Sequence, residues 1–217
     1  MKNNRLETRN ISVEFRALED DSRKVSGLAI PVERRSELLH SRINNRMIGF
    51  YETISRDAIN DDLINSMDVK LYLNHDDSQG TYARSKFGEG SLKLFITERG
   101  LEFETELPNT VFGDMLLEGI RRGDYDALSF AFIPEADEWS DNPDGTRNRM
   151  IRSFELLDEL SILSVTPAYS QTEVSVRSLE EYEERKEQEE QDKKNSILNK
   201  LDEKLIEINE QVKDIEL

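Results

Sequence analysis

Three short segments hold a nucleophile, a base and an acid: Val69-Lys-Leu-Tyr-Leu-Asn-His75-Asp76, Ala127-Leu-Ser129-Phe-Ala-Phe132 and Leu157-Asp-Glu159-Leu-Ser-Ile-Leu-Ser-Val165. A serine hydroxyl is a weak nucleophile at neutral pH. It needs a base poised near neutrality, most often histidine, and the imidazolium formed needs a third group to orient and stabilise it. His75, Ser129 and Glu159 supply these types, and their order along the chain is no obstacle because triads are defined by geometry. Each residue also has a plainer reading. His75 alone is a strand-end histidine, Ser129 a hydroxyl bonded within a sheet, and Glu159 an acid paired with a cation such as Arg152. Asp158 and Glu155 are rivals for the acid. The only other histidine, His40, reads as a solvent-exposed loop residue. His75-Asp76-Asp77 makes a poor metal site, since adjacent residues rarely converge on one ion. We expect no metal and no cofactor.

These residues need a scaffold of strands. Val69 to Leu73 alternates and stops before His75, as a strand end should. In Ala127 to Ile133, Leu128, Phe130 and Phe132 take one face while Ser129 shares the other with the small Ala131. In the third segment, Leu157, Glu159, Ser161 and Leu163 share a face, with Asp158 opposite. Around them, Ile11 to Phe15 and Val25 to Pro31 read as strands and Arg34 to Asn45 as a surface loop. Ser55 is placed to cap a helix burying Ala58, Ile59, Leu63 and Ile64. Gly80 to Glu106 reads as a meander. Asn109 or Thr110 starts a helix that ends at Arg121-Arg122-Gly123. Asn142-Pro-Asp-Gly145 is a turn leading into a long strand from Arg149 to Val165. Many strands and few helices predict a mainly β (α+β) fold, a barrel or rolled sheet.

Composition narrows the functional classes. The 217 residues suffice for one domain with a core plus an appendage, and the formal net charge of −17 argues against a surface that binds phosphates. Nucleic acid and anionic membrane are therefore not expected partners. The absence of cysteine removes disulfides, thiolate metal sites and a thiol nucleophile. No apolar run approaches a membrane span or a signal peptide, so the sequence predicts a cytoplasmic location. After residue 176 the composition turns to Glu, Lys, Arg and Gln without glycine or proline. We expect one folded domain over 1–176, an acidic linker over 177–196 and a heptad-patterned helix over 197–217. In that helix Leu198, Leu201, Leu205, Ile208, Val212 and Ile215 form a seam for self-association or a partner helix.

From about residue 25 to 176 the ordered set of segments resembles the prohead maturation proteases of tailed bacteriophages, relatives in fold of the herpesvirus capsid maturation proteases. The resemblance rests on Ser26-Gly-Leu-Ala29, Phe50-Tyr-Glu-Thr-Ile54, Leu71-Tyr-Leu-Asn-His75-Asp76, Gly100-Leu101 with Leu107-Pro108, Leu128-Ser-Phe-Ala-Phe132 and Glu159-Leu-Ser-Ile-Leu-Ser-Val-Thr-Pro-Ala-Tyr169. It implies a serine endopeptidase built on a small, closed or nearly closed β-barrel with flanking helices. Such an enzyme acts inside the assembling procapsid, in the host cytoplasm, on scaffold protein or the scaffolding segment of the major capsid protein. By position it makes His75 the base and Ser129 the nucleophile, with Glu159 the best fit to the third place. Ala131 stands where these proteases often have glycine, and Pro167, lacking an N–H, is no oxyanion donor. A non-catalytic assembly module retaining the fold is the alternative.

Overall fold

The computed structural model describes residues 6–13, 15–17, 22–43, 45–164 and 177–215, and the chain divides into two compact units, Met1–Ser175 and Val176–Leu217. The first unit is mainly β. Its strands are β1 (Glu7–Ser12), β2 (Arg16–Ala17), β3 (Lys24–Pro31), β4 (Leu39–Ile43), β5 (Arg46–Ile54), β6 (Asp68–Leu73), β7 (Ala83–Lys86), β8 (Glu89–Gly90), β9 (Leu92–Thr97), β10 (Gly100–Glu106), β11 (Ala127–Asp141) and β12 (Arg147–Leu163). A 3₁₀ turn at Arg56–Ala58 and helix α1 (Asp61–Ser66) join β5 to β6, and α2 (Val111–Arg122) joins β10 to β11.

The larger sheet runs β1-β11-β12-β6-β7-β8, with β5 also on β12 and β4 on β5; the smaller runs β2-β3-β10-β9. Strand β12 organises the larger one. One edge pairs with β11 throughout, while the other is shared by two parallel partners, β5 along Arg147–Ile151 and β6 along Glu159–Ile162. Both sheets are open among the described strands, so the pairing does not confirm the closed barrel expected from the sequence. The expected meander is likewise divided, since β7 and β8 belong to the larger sheet and β9 and β10 to the smaller.

Local chemistry explains the elements around the site. Thr110 caps α2 by accepting the Gly113 N–H, and Gly123 ends it at φ 75°, a left-handed conformation that glycine adopts freely. Asn60, rather than Ser55, caps α1 by accepting the Leu63 N–H, because the chain makes only a 3₁₀ turn after Ser55 before restarting. The polar stretch expected as a loop contains β4, which forms a hairpin with β5 and buries Ser41 and Ile43. His40 lies in that strand, partly buried. Leu128, Phe130 and Phe132 of β11 join Leu160 and Ile162 of β12, Val69 and Leu71 of β6 and Phe103 of β10 in one apolar core. Each such side chain contributes about 1.5–3 kcal/mol on burial.

A buried charge cluster binds the larger sheet across its strands. Arg9 of β1 donates to both carboxylate oxygens of Glu52 on β5 (2.7 Å each) and to Glu7 (2.6 Å). Arg149 of β12 donates to Glu7 (2.7 and 3.0 Å), Glu52 (2.9 Å) and Asp137 (2.6 Å). The Arg149 side chain is only 1% exposed. Removing one partner of such a set strands uncompensated charge in the interior, at a cost of about 3–5 kcal/mol. Arg149→Met is therefore expected to lower stability by about that amount, read as a fall in the urea midpoint at unchanged m-value. Desolvation pushes the Glu52 carboxyl up, but Arg9 and Arg149 overbalance it and leave it below its ordinary range. The corresponding stability is present above the ordinary glutamate value and lost as pH falls through the lowered one.

The second unit contains one helix, α3 (Arg177–Ile215), so the acidic stretch expected as a linker is the first half of the same helix. Its Glu, Lys, Arg and Gln residues are good helix formers. Side-chain bonds four residues apart, Gln188 to Asp192 and Gln191 to Asn195 (3.0 Å each), support it. Ile197, Leu198 and Leu201 are exposed. The seam positions beyond Leu201 lie outside the residues whose side chains are described, and the expected boundary at 176 and Pro167 lie outside the described residues altogether. Among the described residues no helix is long and apolar enough to cross a membrane.

Candidate active site

Three neighbouring strands present the candidate residues on the face turned away from the apolar core. On β11 this face carries Ala127, Ser129 and Ala131; on β12, Leu163, Ser161 and Glu159; on β6, Tyr72 and Lys70. The register lines them up, with Ser129 opposite Ser161, Ala131 opposite Glu159, Ser161 beside Tyr72 and Glu159 beside Lys70. The alternation expected for β11 holds. On β12 a register shift makes Phe132 pair with Leu157 instead of Asp158. That bulge turns Leu157 into the core, against the expectation that it shares the face of Glu159.

His75 reaches this face from a tight turn. Leu73 O accepts the Asp76 N–H (3.1 Å), and the two central residues, Asn74 and His75, have φ of 54° and 59°. Positive φ at both centres is the signature of a type I′ turn, whose second position strongly favours glycine. Asparagine and histidine are among the non-glycine residues that adopt this conformation most readily. The imidazole Nδ1 bonds to Glu159 Oε1, which fixes the ring nitrogen that faces the acid and leaves Nε2 for another partner.

The carboxylate is held from two sides, since Ser161 Oγ also donates to Glu159 Oε1 at 3.2 Å. The hydrogen bond with His75 is the main reason that the Glu159 carboxyl sits below its ordinary range. Desolvation opposes it, and the charges of His75 and Lys70 and the Ser161 hydroxyl assist. Of the rival acids, Asp158 lies 3.5 Å from Lys70, and Glu155 is exposed on the same strand. Arg152, the alternative partner considered for Glu159, instead pairs with Glu138 at 2.6 Å. Asp76 is occupied by its own turn, accepting the Ser78 N–H at 2.9 Å.

Ser129 is fully buried, and its Oγ has no hydrogen-bond partner among the described residues. Buried hydroxyls are nearly always satisfied, so an orphan calls for a reason. Among the described residues this hydroxyl makes no bond within its sheet, whereas the plainer reading of Ser129 expects one. The structure thus brings His75 and Glu159 into contact and sets Ser129 directly across from Ser161, the residue that supports Glu159. Sequence reading placed Ser161 on the right face without giving it a part in the site. It passed over Asn74 and Ser164, although an asparagine immediately before a strand-end histidine is itself a turn signal.

Comparison with known proteins gives three findings. No curated protein sequence matches the chain. Among solved structures it is similar to the bacteriophage T4 capsid assembly protease, gp21, with 13% identity and a TM-score of 0.42, over 75% of this chain and 96% of that one. The family model described as the caudovirus prohead serine protease matches residues 11–188, which span all three candidate residues. On that match, the chain belongs to the caudovirus prohead serine protease family.

Proposed function

We propose that this chain is a serine endopeptidase of procapsid maturation that cleaves scaffold protein or the scaffolding segment of the capsid subunit, with Ser129 as nucleophile, His75 as general base and Glu159 as the orienting acid. The observation that carries the reading is the His75–Glu159 hydrogen bond on the sheet face that holds the orphaned Ser129 hydroxyl. In the first step Ser129 Oγ attacks the scissile carbonyl carbon and its proton passes to His75 Nε2, while Glu159 stabilises the imidazolium. Collapse of the tetrahedral intermediate expels the amine, which takes that proton, and water then hydrolyses the acyl-enzyme by the same route. The complete burial of Ser129 means that a peptide reaches it only once whatever covers that face has moved. The working location is the interior of the assembling procapsid, and α3 holds the protease near scaffold or capsid subunits, raising its effective concentration there. Deleting residues 177–217 should then reduce incorporation into procapsids.

The deciding experiment is intact mass spectrometry of the phage's capsid and scaffold proteins coexpressed with the wild-type chain or with Ser129→Ala. Defined truncations present with wild type and absent with the variant support the protease. Uncut proteins in both samples, from particles that contain the chain, favour a non-catalytic assembly module.

A further inference from the structure

We propose that Asn74 is a positioning residue for the general base, clasping β12 so that the tight turn carrying His75 stays closed over Glu159; this rests on the reading of His75 given above. The turn places two consecutive non-glycine residues at positive φ. Asparagine and histidine are among the side chains that adopt this region most readily, although glycine suits the second centre best. Contacts outside the turn help to hold it. The Asn74 side chain does so through Ser164, the residue that follows β12. Its Oδ1 accepts the Ser164 N–H (2.9 Å) and lies 3.1 Å from Ser164 Oγ, and its Nδ2 donates to Ser164 Oγ (2.8 Å). The Asn74 backbone N–H continues the ladder to Ile162 O at 2.9 Å. One amide therefore ties the end of β6 to the strand that carries Glu159, immediately before the residue that must meet it. Small displacements of a catalytic group are expensive, about 1 Å being enough to lose roughly 100-fold in rate.

Two histidines in the chain make the test clean, with His40 as internal control. The probe is the imidazole ¹⁵N spectrum of the full chain, labelled on histidine, which reports which ring nitrogen carries the proton. In the wild type the bond to Glu159 should hold His75 in the Nδ1–H form. Asn74→Gly keeps the backbone freedom and removes the clasp. It should release His75 to mixed tautomers and lower cleavage of the coexpressed capsid and scaffold proteins by about 10- to 100-fold, with the His40 signals and the melting temperature little changed. Asn74→Asp keeps the acceptor for Ser164 and should restore most of both. An Asn74→Gly protein whose His75 stays in the Nδ1–H form and whose cleavage is normal overturns the proposal alone. A wild type without the Nδ1–H form overturns the His75–Glu159 reading and the proposal with it.

Discussion

Ser129→Ala should lower the cleavage rate by about 10⁴-fold or more while leaving the protein as stable as wild type, or more so. The kinetic half follows from the chemistry. Without the hydroxyl there is no acyl-enzyme, and the remaining groups have little to activate; removing a nucleophile of this kind costs about 10⁴–10⁶-fold in comparable enzymes. The stability half follows from this protein's geometry. Among the described residues Ser129 Oγ is buried without a partner, and an unsatisfied buried hydroxyl costs about 1–3 kcal/mol. Alanine removes that liability and leaves little void, since its neighbours on the face are Ala127 and Ala131. A urea midpoint raised by the equivalent of about 1 kcal/mol, together with lost cleavage, would mark Ser129 as a residue kept for reaction at the expense of stability. A large loss of stability would instead make the hydroxyl structural. Persistent cleavage would place the nucleophile elsewhere, and Ser161, directly across the strand pair, would be the first to try.

What was legible in the sequence was whatever depends on near neighbours. The ends of α2 were readable from Thr110 and Gly123, because caps act over three or four residues. The face of Ser129 was readable from the alternation of Leu128, Phe130 and Phe132, because side-chain direction in a strand repeats every two residues. Register is another matter. The bulge beside Asp158 sends Leu157 into the core, and it arises from how β12 fits β11, which neither strand states by itself. Strand β4 was hidden because its buried positions include Ser41, so its alternation does not look hydrophobic. The charge cluster was hidden for a plainer reason: Arg149 meets Glu7 from 142 residues away and Glu52 from 97. Of the site, the residue types could be read, since chemistry constrains types. Alternation already set Asp158 on the face opposite Glu159, and what the bulge adds is that Leu157 leaves that face for the core.

Glu159→Gln should lower kcat by about 10³–10⁴-fold, and Asp158→Asn should leave it within about twofold. The two acids are adjacent in sequence, so only their surroundings separate them. Glu159 accepts from His75 and from Ser161, and its side chain is 14% exposed. Asp158 is 39% exposed and pairs with Lys70 at 3.5 Å, an exposed pair of a sort worth about 0–1 kcal/mol. A glutamine at 159 still offers an oxygen to Nδ1, but it carries no charge to stabilise the imidazolium, and its amide can favour the wrong tautomer. pH separates the acids as well. The bond from His75 holds the Glu159 carboxyl below its ordinary range in the folded protein, so its ionised form adds stability that is fully present above the ordinary glutamate value. That increment is lost as pH falls through the lowered folded value. Glu159→Gln cannot show it. The gap in urea midpoint between wild type and Glu159→Gln should accordingly be widest near neutral pH and shrink in acid, whereas a gap that is flat with pH would mean that the carboxylate charge is not what His75 binds.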